Sequence, residues 1–291
     1  MANVCEAYLG MYAQNILIEA IHPDIQAHLD SDTPAKWKYK NVASAISKLN
    51  RVGQDTGLED SKPKKGSSRA VYFPKEERKI VVDGHETSSP TAVKIAFEGQ
   101  LDKHHGEDTL LGEDQNRLEA DHFIRDNHSV FSQNHDGSFH TNKRGVLAPV
   151  FDSHPEGHHL EMGRVEPYNA KDLANYTKND DFPKGLTHKH ITEALTREHE
   201  YAHGTGHRTY TDKENETHDK VMGHPYVEAM VDMMHNSGMH PGDLNPRNMG
   251  IYVHPVTKVR HPVIIDYGFS NDIARKYTKA RRNAMNKNRG W

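Results

Sequence analysis

Three polar residues that can hold a metal ion lie within one short stretch of the sequence. Residues 238–270 read GMHPGDLNPRNMGIYVHPVTKVRHPVIIDYGFS and place Asp243, Asn248 and Asp266 beside apolar residues, on turns at either side of a predicted hairpin. Carboxylate and amide oxygens are the ligands that Mg²⁺ prefers, and Mg²⁺ is often bound by one or two carboxylates together with substrate phosphates. We therefore expect the three side chains to be directed at one place and to hold something charged there.

Two further charged residues lie on predicted elements upstream of this stretch. Residues 91–97, TAVKIAF, alternate with period two, which predicts a strand with Lys94 and two alanines on one face and larger apolar residues on the other. The segment 110–127, LLGEDQNRLEADHFIRDN, predicts a helix that carries Glu119. The sequence thus places a Lys on a strand and a Glu on the following helix, ahead of the hairpin.

The order and spacing of these segments resemble those of a known superfamily. HPGDLNPRN at 240–248 resembles the catalytic loop of protein-kinase-like enzymes, and IIDYG at 264–268 resembles their D-F-G metal-binding motif with Tyr267 in place of Phe. TAVKI resembles the V-A-I-K strand, and GSSRAVY at 66–72 resembles a degenerate phosphate-covering loop. The chain is similar to atypical kinases with an H-G-D loop, such as aminoglycoside phosphotransferases, and to kinases encoded by bacteriophages.

The resemblance implies an ATP- and Mg²⁺-dependent phosphotransferase that acts on a hydroxyl group, most readily a Ser or Thr side chain. Asp243 would orient the acceptor hydroxyl or accept its proton. Lys94, held by an ion pair with Glu119, would contact the α and β phosphates. Asn248 and Asp266 would hold Mg²⁺. The residues that the resemblance assigns to nucleotide binding are Gly66, Ser67, Ser68, Arg69, Val71, Lys94, Glu161 and Met162.

The resemblance assigns nucleotide contacts to the backbone of two segments, residues 66–69 and residues 161–164. Amides of residues 66–69 could cradle phosphates, although this loop has one glycine where many kinases have three. LEMGRVEPY occupies the position of the hinge between lobes, where backbone groups of residues 161–164 would meet adenine. The alternative interpretation of this second segment is an ordinary strand end, since backbone recognition leaves little side-chain signature.

The chain departs from the superfamily pattern at two points. It reads His240-Pro241-Gly242-Asp243, so the Arg of H-R-D is absent and control through a phosphorylated activation loop is not expected. Few residues follow Gly268, which leaves little room for the segment and helices that dock protein substrates in larger kinases. The sequence therefore leaves the acceptor open between a protein hydroxyl and a small molecule.

The predicted elements define an α+β protein, and the resemblance implies a two-lobed protein-kinase-like fold. Residues 1–62 form a predicted helical extension, in which Thr33 is the expected cap. Residues 63–164 form a predicted N-lobe whose five antiparallel strands are RAVYFP, KIVVDG, TAVKIAF, GVLAPVF and HHLEMG, with one helix after the third. Residues 165–291 form a short, mainly helical C-lobe with a basic tail, and the stripe of Val and Met residues at 227–234 is predicted to be core.

Composition narrows the class of protein. The chain has 291 residues, 34% of them hydrophobic and 27% charged, which is typical of a globular, soluble protein. It has no apolar run long enough for a membrane span, and its single cysteine, Cys5, excludes an internal disulfide and a zinc site of paired cysteines. We expect a cytoplasmic protein, in the host cytoplasm if viral, or a virion component.

Alternatives from other classes remain open. The helical extension, the short predicted C-lobe and the basic tail are also compatible with a kinase-fold structural or virion protein, or an interaction protein with a host partner, without turnover. HEYAH supplies His199, Glu200 and His203 as a possible zinc hydrolase site. The basic tail has few aromatic residues and no recognised motif, so nucleic-acid binding is not favoured.

Overall fold

The computed structural model describes residues 21–60, 62–99, 102–105, 110–125, 128–168, 187–204, 209–237, 239, 244–266, 273 and 275–279. The start of the predicted helical extension, the predicted base Asp243, Tyr267 and most of the basic tail lie outside these ranges. None of the described helices combines the length and hydropathy needed to cross a bilayer.

The described residues form seven α-helices and twelve strands. The helices are α1 (Pro23–Asp30), α2 (Ala35–Arg51), α3 (Asp102–His105), α4 (Leu111–Arg125), α5 (His188–His203), α6 (Asp212–Met222) and α7 (Pro225–Ser237). The strands are β1 (Lys64–Lys65), β2 (Arg69–Tyr72), β3 (Arg78–Val82), β4 (His85–Ser89), β5 (Thr91–Ala96), β6 (Phe131–Gln133), β7 (Phe139–Thr141), β8 (Val150–Ser153), β9 (His159–Gly163), β10 (Glu166–Pro167), β11 (Met249–Val253) and β12 (Arg260–Ile264). The predicted α+β class is confirmed.

The largest sheet has five strands in the order β1-β2-β5-β9-β8, and every neighbouring pair is antiparallel. In this register Lys94 of β5 lies opposite Val71 of β2 on one side and Leu160 of β9 on the other. Helix α4 packs against β5, β8 and β9. The predicted strand with Lys94 is therefore internal to the sheet and faces the predicted helix with Glu119.

The predicted place of KIVVDG in this sheet is wrong. Its residues form β3, which pairs with β4 and β7 in a separate four-stranded sheet of order β4-β3-β7-β6. The reason is the turn at Asp83 and Gly84, where both residues have positive φ, 50° and 79°. Two such residues make a tight hairpin, so β3 pairs with the segment directly after it. Strand β2 then pairs directly with β5.

The N-terminal helices pack on the sheet face opposite to α4. Ile25, Val42 and Ile46 share one buried cluster with Ala70 of β2 and Ile95 of β5. These helices and the sheet thus bury a common core, because alternate residues of β2 and β5 are apolar on this side.

Helix α2 begins differently from the prediction. Pro34 is the N-cap and Ala35 the first helical residue, without a side-chain capping bond, while Thr33 Oγ1 accepts a hydrogen bond from Ser31. Buried Lys38 donates from Nζ to the carbonyl of Leu29 at 2.6 Å, which satisfies a carbonyl at the C-terminal end of α1.

Three C-terminal helices share a buried core with the hairpin that carries the predicted metal ligands. Strands β10, β11 and β12 form a three-stranded antiparallel sheet. Helices α5 and α7 and the strands β11 and β12 contribute to one buried cluster. The predicted core stripe of α7 is confirmed, since Val227, Met230, Val231 and Met234 are all buried there.

Candidate functional site

The period of β5 directs Lys94 toward α4. Val93 and Ile95 belong to the cluster with the N-terminal helices, so Lys94, between them, lies on the other face. There its Nζ lies 2.8 Å from Oε2 of Glu119, which is completely buried. Burial lowers the pKa of Lys94, and the nearby charge of Arg69 adds to this. The Lys–Glu ion pair expected from the sequence is present.

Arg69 joins this pair from the neighbouring strand. Its Nη1 lies 2.7 Å from Glu119 Oε1 and donates to Asn116 Oδ1 at 3.2 Å. Its Nη2 donates to Oδ1 of Asp266. One buried guanidinium therefore connects the helix α4 to the segment after β12.

The side chains of Arg69 and Asn116 were missed by sequence reasoning, which assigned Arg69 a backbone role only. The period of β2 contains the missing signal. Ala70 and Tyr72 pack with the N-terminal helices, so Arg69 and Val71 must lie on the face that Lys94 shares. A charged residue at such a position needs a partner on α4.

Asn248 and Asp266 are brought to the same end of the β11–β12 hairpin. The amide of Ile265 donates to the carbonyl of Asn248 at 2.8 Å, directly before Asp266. The carbonyl of Ile265 accepts a hydrogen bond from Lys94 Nζ. The hairpin end is thus attached to β5, which places the predicted metal ligands beside the Lys94–Glu119 pair.

Asp266 is the least buried member of this cluster. Its side chain is 43% exposed, against 8% or less for Arg69, Lys94 and Glu119. Burial alone would raise the pKa of Asp266, but the charges of Arg69 and then Lys94 outweigh it and hold the pKa below its usual value. The carboxylate is ionised at neutral pH and remains reachable from solvent.

The loop predicted to cover phosphates is a tight turn against α4. The amide of Gly66 donates to the Arg69 carbonyl at 2.8 Å. Ser67 is exposed, whereas Ser68 is buried and donates from Oγ to Gln115 of α4 at 2.6 Å. A Cβ on Gly112 would lie 2.4 Å from the Ser68 carbonyl, so a residue without a side chain is required where the turn meets the helix.

The predicted hinge residues lie on opposite faces of β9. Met162 is opposite Ala92 and shares its face with Leu160, the neighbour of Lys94. Glu161 lies on the other face and forms a buried ion pair with Arg78.

The backbone amides at the end of this predicted hinge already have partners. The amide of Gly163 donates to the Pro149 carbonyl, and that of Arg164 donates to the Pro90 carbonyl, both at 2.8 Å. An adenine contact in this segment would need other groups, and the roles assigned to Glu161 and Met162 stay predictions.

The H-E-x-x-H segment lies at the end of α5. The helix ends at His203 with Gly204 in the left-handed conformation at φ 63°. Oε2 of Glu200 accepts a hydrogen bond from the hydroxyl of Tyr210 at 3.2 Å. The side chain of His203 lies outside the described part of the chain, so its ligand role stays a prediction.

Comparisons with known proteins identify no family. None of the protein-family models matches the chain, and the search of curated proteins returned no significant match. The chemical interpretation therefore depends on the cluster itself. Two buried cations, a buried carboxylate and a partly exposed carboxylate form an arrangement that can bind a polyanion together with a metal ion.

Proposed function

We propose that this chain is an ATP- and Mg²⁺-dependent phosphotransferase with a two-lobed, kinase-like fold, which transfers the γ-phosphate to a hydroxyl acceptor. One observation carries the proposal: Lys94, Glu119 and Asp266, from three distant parts of the sequence, meet in a single cluster. Phosphoryl transfer needs positioning and positive charge more than covalent help from protein, and this cluster supplies both.

The donor set fits a hard divalent cation. Asp266 offers an ionised and partly exposed carboxylate, and Asn248, at the same hairpin end, offers an amide oxygen. Mg²⁺, when bound, would neutralise charge on the phosphates. Asp243 would act on the acceptor hydroxyl, and only this predicted catalytic residue lies outside the described part of the chain.

The charges of the cluster indicate how nucleotide and metal would enter. Lys94 and Arg69 carry two positive charges, and Glu119 and Asp266 carry two negative ones. Asp266 would exchange Arg69 for the metal, which frees a guanidinium for a phosphate oxygen. We therefore expect ATP and Mg²⁺ to bind better together than either does alone.

A second candidate is a kinase-fold structural or interaction protein without turnover. The observation that favours it is the ion pair between Arg69 and Asp266, because the cluster already has its charges paired without a ligand. An internally satisfied network can be retained for the fold alone. The proposed acceptor is a protein hydroxyl or a small molecule, and the proposed partner is a host or virion protein.

Thermal unfolding with and without ATP and Mg²⁺ distinguishes the two. Ligand at about 100 times its Kd should stabilise the enzyme by about 2.7 kcal/mol. We expect a Mg²⁺-dependent rise in Tm that is lost in Asp266→Ala and kept in Glu76→Gln, an exposed carboxylate on another turn. Absence of any rise at millimolar ATP in the natural chain would overturn the enzyme proposal in favour of the structural one.

A further inference from the structure

The turn between β8 and β9 gathers two imidazoles and a carboxylate outside the cluster described above. One possible ligand atom from each of His154, Glu156 and His158 lies within 4.8 Å of the others. The two imidazole rings stack with centroids 4.2 Å apart, and Glu156 Oε2 lies 3.0 Å from His158 Nε2. Imidazole nitrogens combined with carboxylate oxygens are a donor set typical of zinc.

A fourth donor comes from α4. Oε1 of Glu113, in the first turn of this helix, lies 3.5 Å from His158 Nε2. His154, Glu156 and His158 are the residues whose ligand atoms all lie within 4.8 Å of one another, and Glu113 approaches the set at His158. With Glu113 the set would reach the four donors that Zn²⁺ takes in tetrahedral sites. The set thus spans the turn and the helix.

The turn is fixed in place by the protein itself. Gly157 has φ 76°, and a Cβ there would lie 2.3 Å from the Glu113 carbonyl, so the turn sits directly on α4. Asn116 Nδ2 donates to the Gly157 carbonyl at 2.9 Å, and the Ala96 amide donates to the His158 carbonyl at 3.1 Å. Ligands supported in this way need little reorganisation to bind a metal.

His158 has a polar atom that the described residues leave unsatisfied. The residue is 3% exposed, and its Nδ1 is buried without a hydrogen-bond partner among the described residues. The carboxylates of Glu156 and Glu113 lie at Nε2, the other ring nitrogen, so Nε2 is the His158 atom placed to bind a metal.

Two positive charges nearby oppose a cation. Lys38, buried on α2, lies near both histidines, and Arg117 of α4 lies near His158. Lys38 Nζ is held at the Leu29 carbonyl, Arg117 pairs with Asp114, and the carboxylates of the set offset the remaining charge.

We propose that His154, Glu156 and His158, completed by Glu113, form a binding site for a divalent transition metal, with zinc as the expected ion. A metal there would tie the β8–β9 turn to α4, the helix that carries Glu119. The site does not depend on the proposed phosphotransferase activity, and its nitrogen ligands separate it from the oxygen ligands proposed for Mg²⁺.

Zinc titration of the untagged full chain, against a chromophoric chelator, tests this site. The variants are His154→Gln and Glu156→Gln, and the Glu156 side chain is 72% exposed, so its replacement should leave the fold intact. His199→Gln, at the end of α5, is the matched control because it removes a histidine from the other candidate zinc segment. Tm without zinc checks that each variant folds.

We expect the natural chain and His199→Gln to bind one equivalent of Zn²⁺, with a zinc-dependent rise in Tm. Both turn variants should bind at least about tenfold more weakly. Excess Mg²⁺ should not displace the zinc. Three results would overturn the proposal. The first is that the natural chain binds no equivalent of Zn²⁺, and the second is that both folded turn variants keep its zinc affinity. The third is that zinc binding is lost in His199→Gln alone.

Discussion

Arg69 and Asp266, 197 positions apart in the chain, form an ion pair through Nη2 and Oδ1. The same guanidinium bonds Glu119, so Arg69 holds two carboxylates that belong to different elements. Arg69 is buried, whereas the side chain of Asp266 is 43% exposed. The pair therefore connects the interior of the five-stranded sheet to a carboxylate that solvent can reach.

Replacing Arg69 should destabilise the fold. Arg69→Gln leaves Glu119 with Lys94 as its remaining cation and Asp266 without its guanidinium, and we expect a loss of about 3 kcal/mol in the free energy of unfolding. Lys79→Gln, an exposed cation on β3, should change it by less than about 0.5 kcal/mol. Urea unfolding measures both. Equal effects of the two variants would show that the Arg69 network does not stabilise the fold.

Replacing Lys94 should separate nucleotide binding from stability. In Lys94→Met, Glu119 keeps its ion pair with Arg69, so the chain should still fold, whereas the predicted phosphate contact is lost. Turnover should fall about 10²–10³-fold, and the ATP-dependent rise in Tm should disappear. Calorimetry with ATP and Mg²⁺ gives the affinity, with Lys79→Met as the control. An unchanged affinity in a folded Lys94→Met chain would remove Lys94 from the site.

The resemblance to kinase motifs predicted the pairing of Lys94 with Glu119, and the period of β5 supplies a physical reason for it. Lys94 lies on the face opposite to Val93 and Ile95, which is the face that α4 covers. The period of β2 also indicates which face Arg69 occupies. Its contact with Glu119 requires in addition that β2 pairs directly with β5, and this pairing follows from the position of β3 in the separate sheet.

The position of β3 had a local signal that the prediction did not use. Asp-Gly between two alternating segments favours a two-residue hairpin, and Asp83 and Gly84 form one. The parallel bridge of β3 to β7 has no such signal, since it joins segments far apart in the sequence. The approach of Glu113 to His154, Glu156 and His158 has no local signal in the sequence, because Glu113 comes from a distant helix.

Stability should fall below neutral pH, and His261 should account for part of this. Burial, and then the charge of His254, lower the pKa of His261 from 6.5 to about 4. Between these values the unfolded chain binds a proton that the folded chain does not, so the free energy of unfolding decreases as the pH falls. The loss is complete below a pH of about 4.

In His261→Gln, the loss in the free energy of unfolding between pH 6.5 and pH 4 should be smaller by on the order of 3 kcal/mol. Urea unfolding at several pH values measures the slope. His85→Gln, at an exposed position of β4, should leave the slope unchanged. A slope in His261→Gln equal to that of the natural chain would mean that His261 does not stay neutral in the folded state.

The two glycines Gly84 and Gly66 should respond differently to alanine. Gly84 has φ 79°, where an L side chain costs about 1–2 kcal/mol, so Gly84→Ala should reduce the free energy of unfolding by that amount. Gly66 has no such constraint, and a Cβ there meets only the Arg69 carbonyl at an ordinary 3.5 Å. Gly66→Ala should therefore leave stability within about 0.5 kcal/mol.

The effect of the two variants on ATP affinity should be the reverse of their effect on stability. Gly66 belongs to the loop proposed to cover the phosphates, whereas Gly84 lies at a turn of a separate sheet. A Cβ at Gly66 would occupy space that a closely approaching phosphate needs, so Gly66→Ala should weaken ATP binding while Gly84→Ala leaves it unchanged. Urea unfolding and calorimetry on the same two proteins give both comparisons. If Gly66→Ala keeps the full ATP affinity, the phosphates do not lie against this loop, even if nucleotide binds at Lys94.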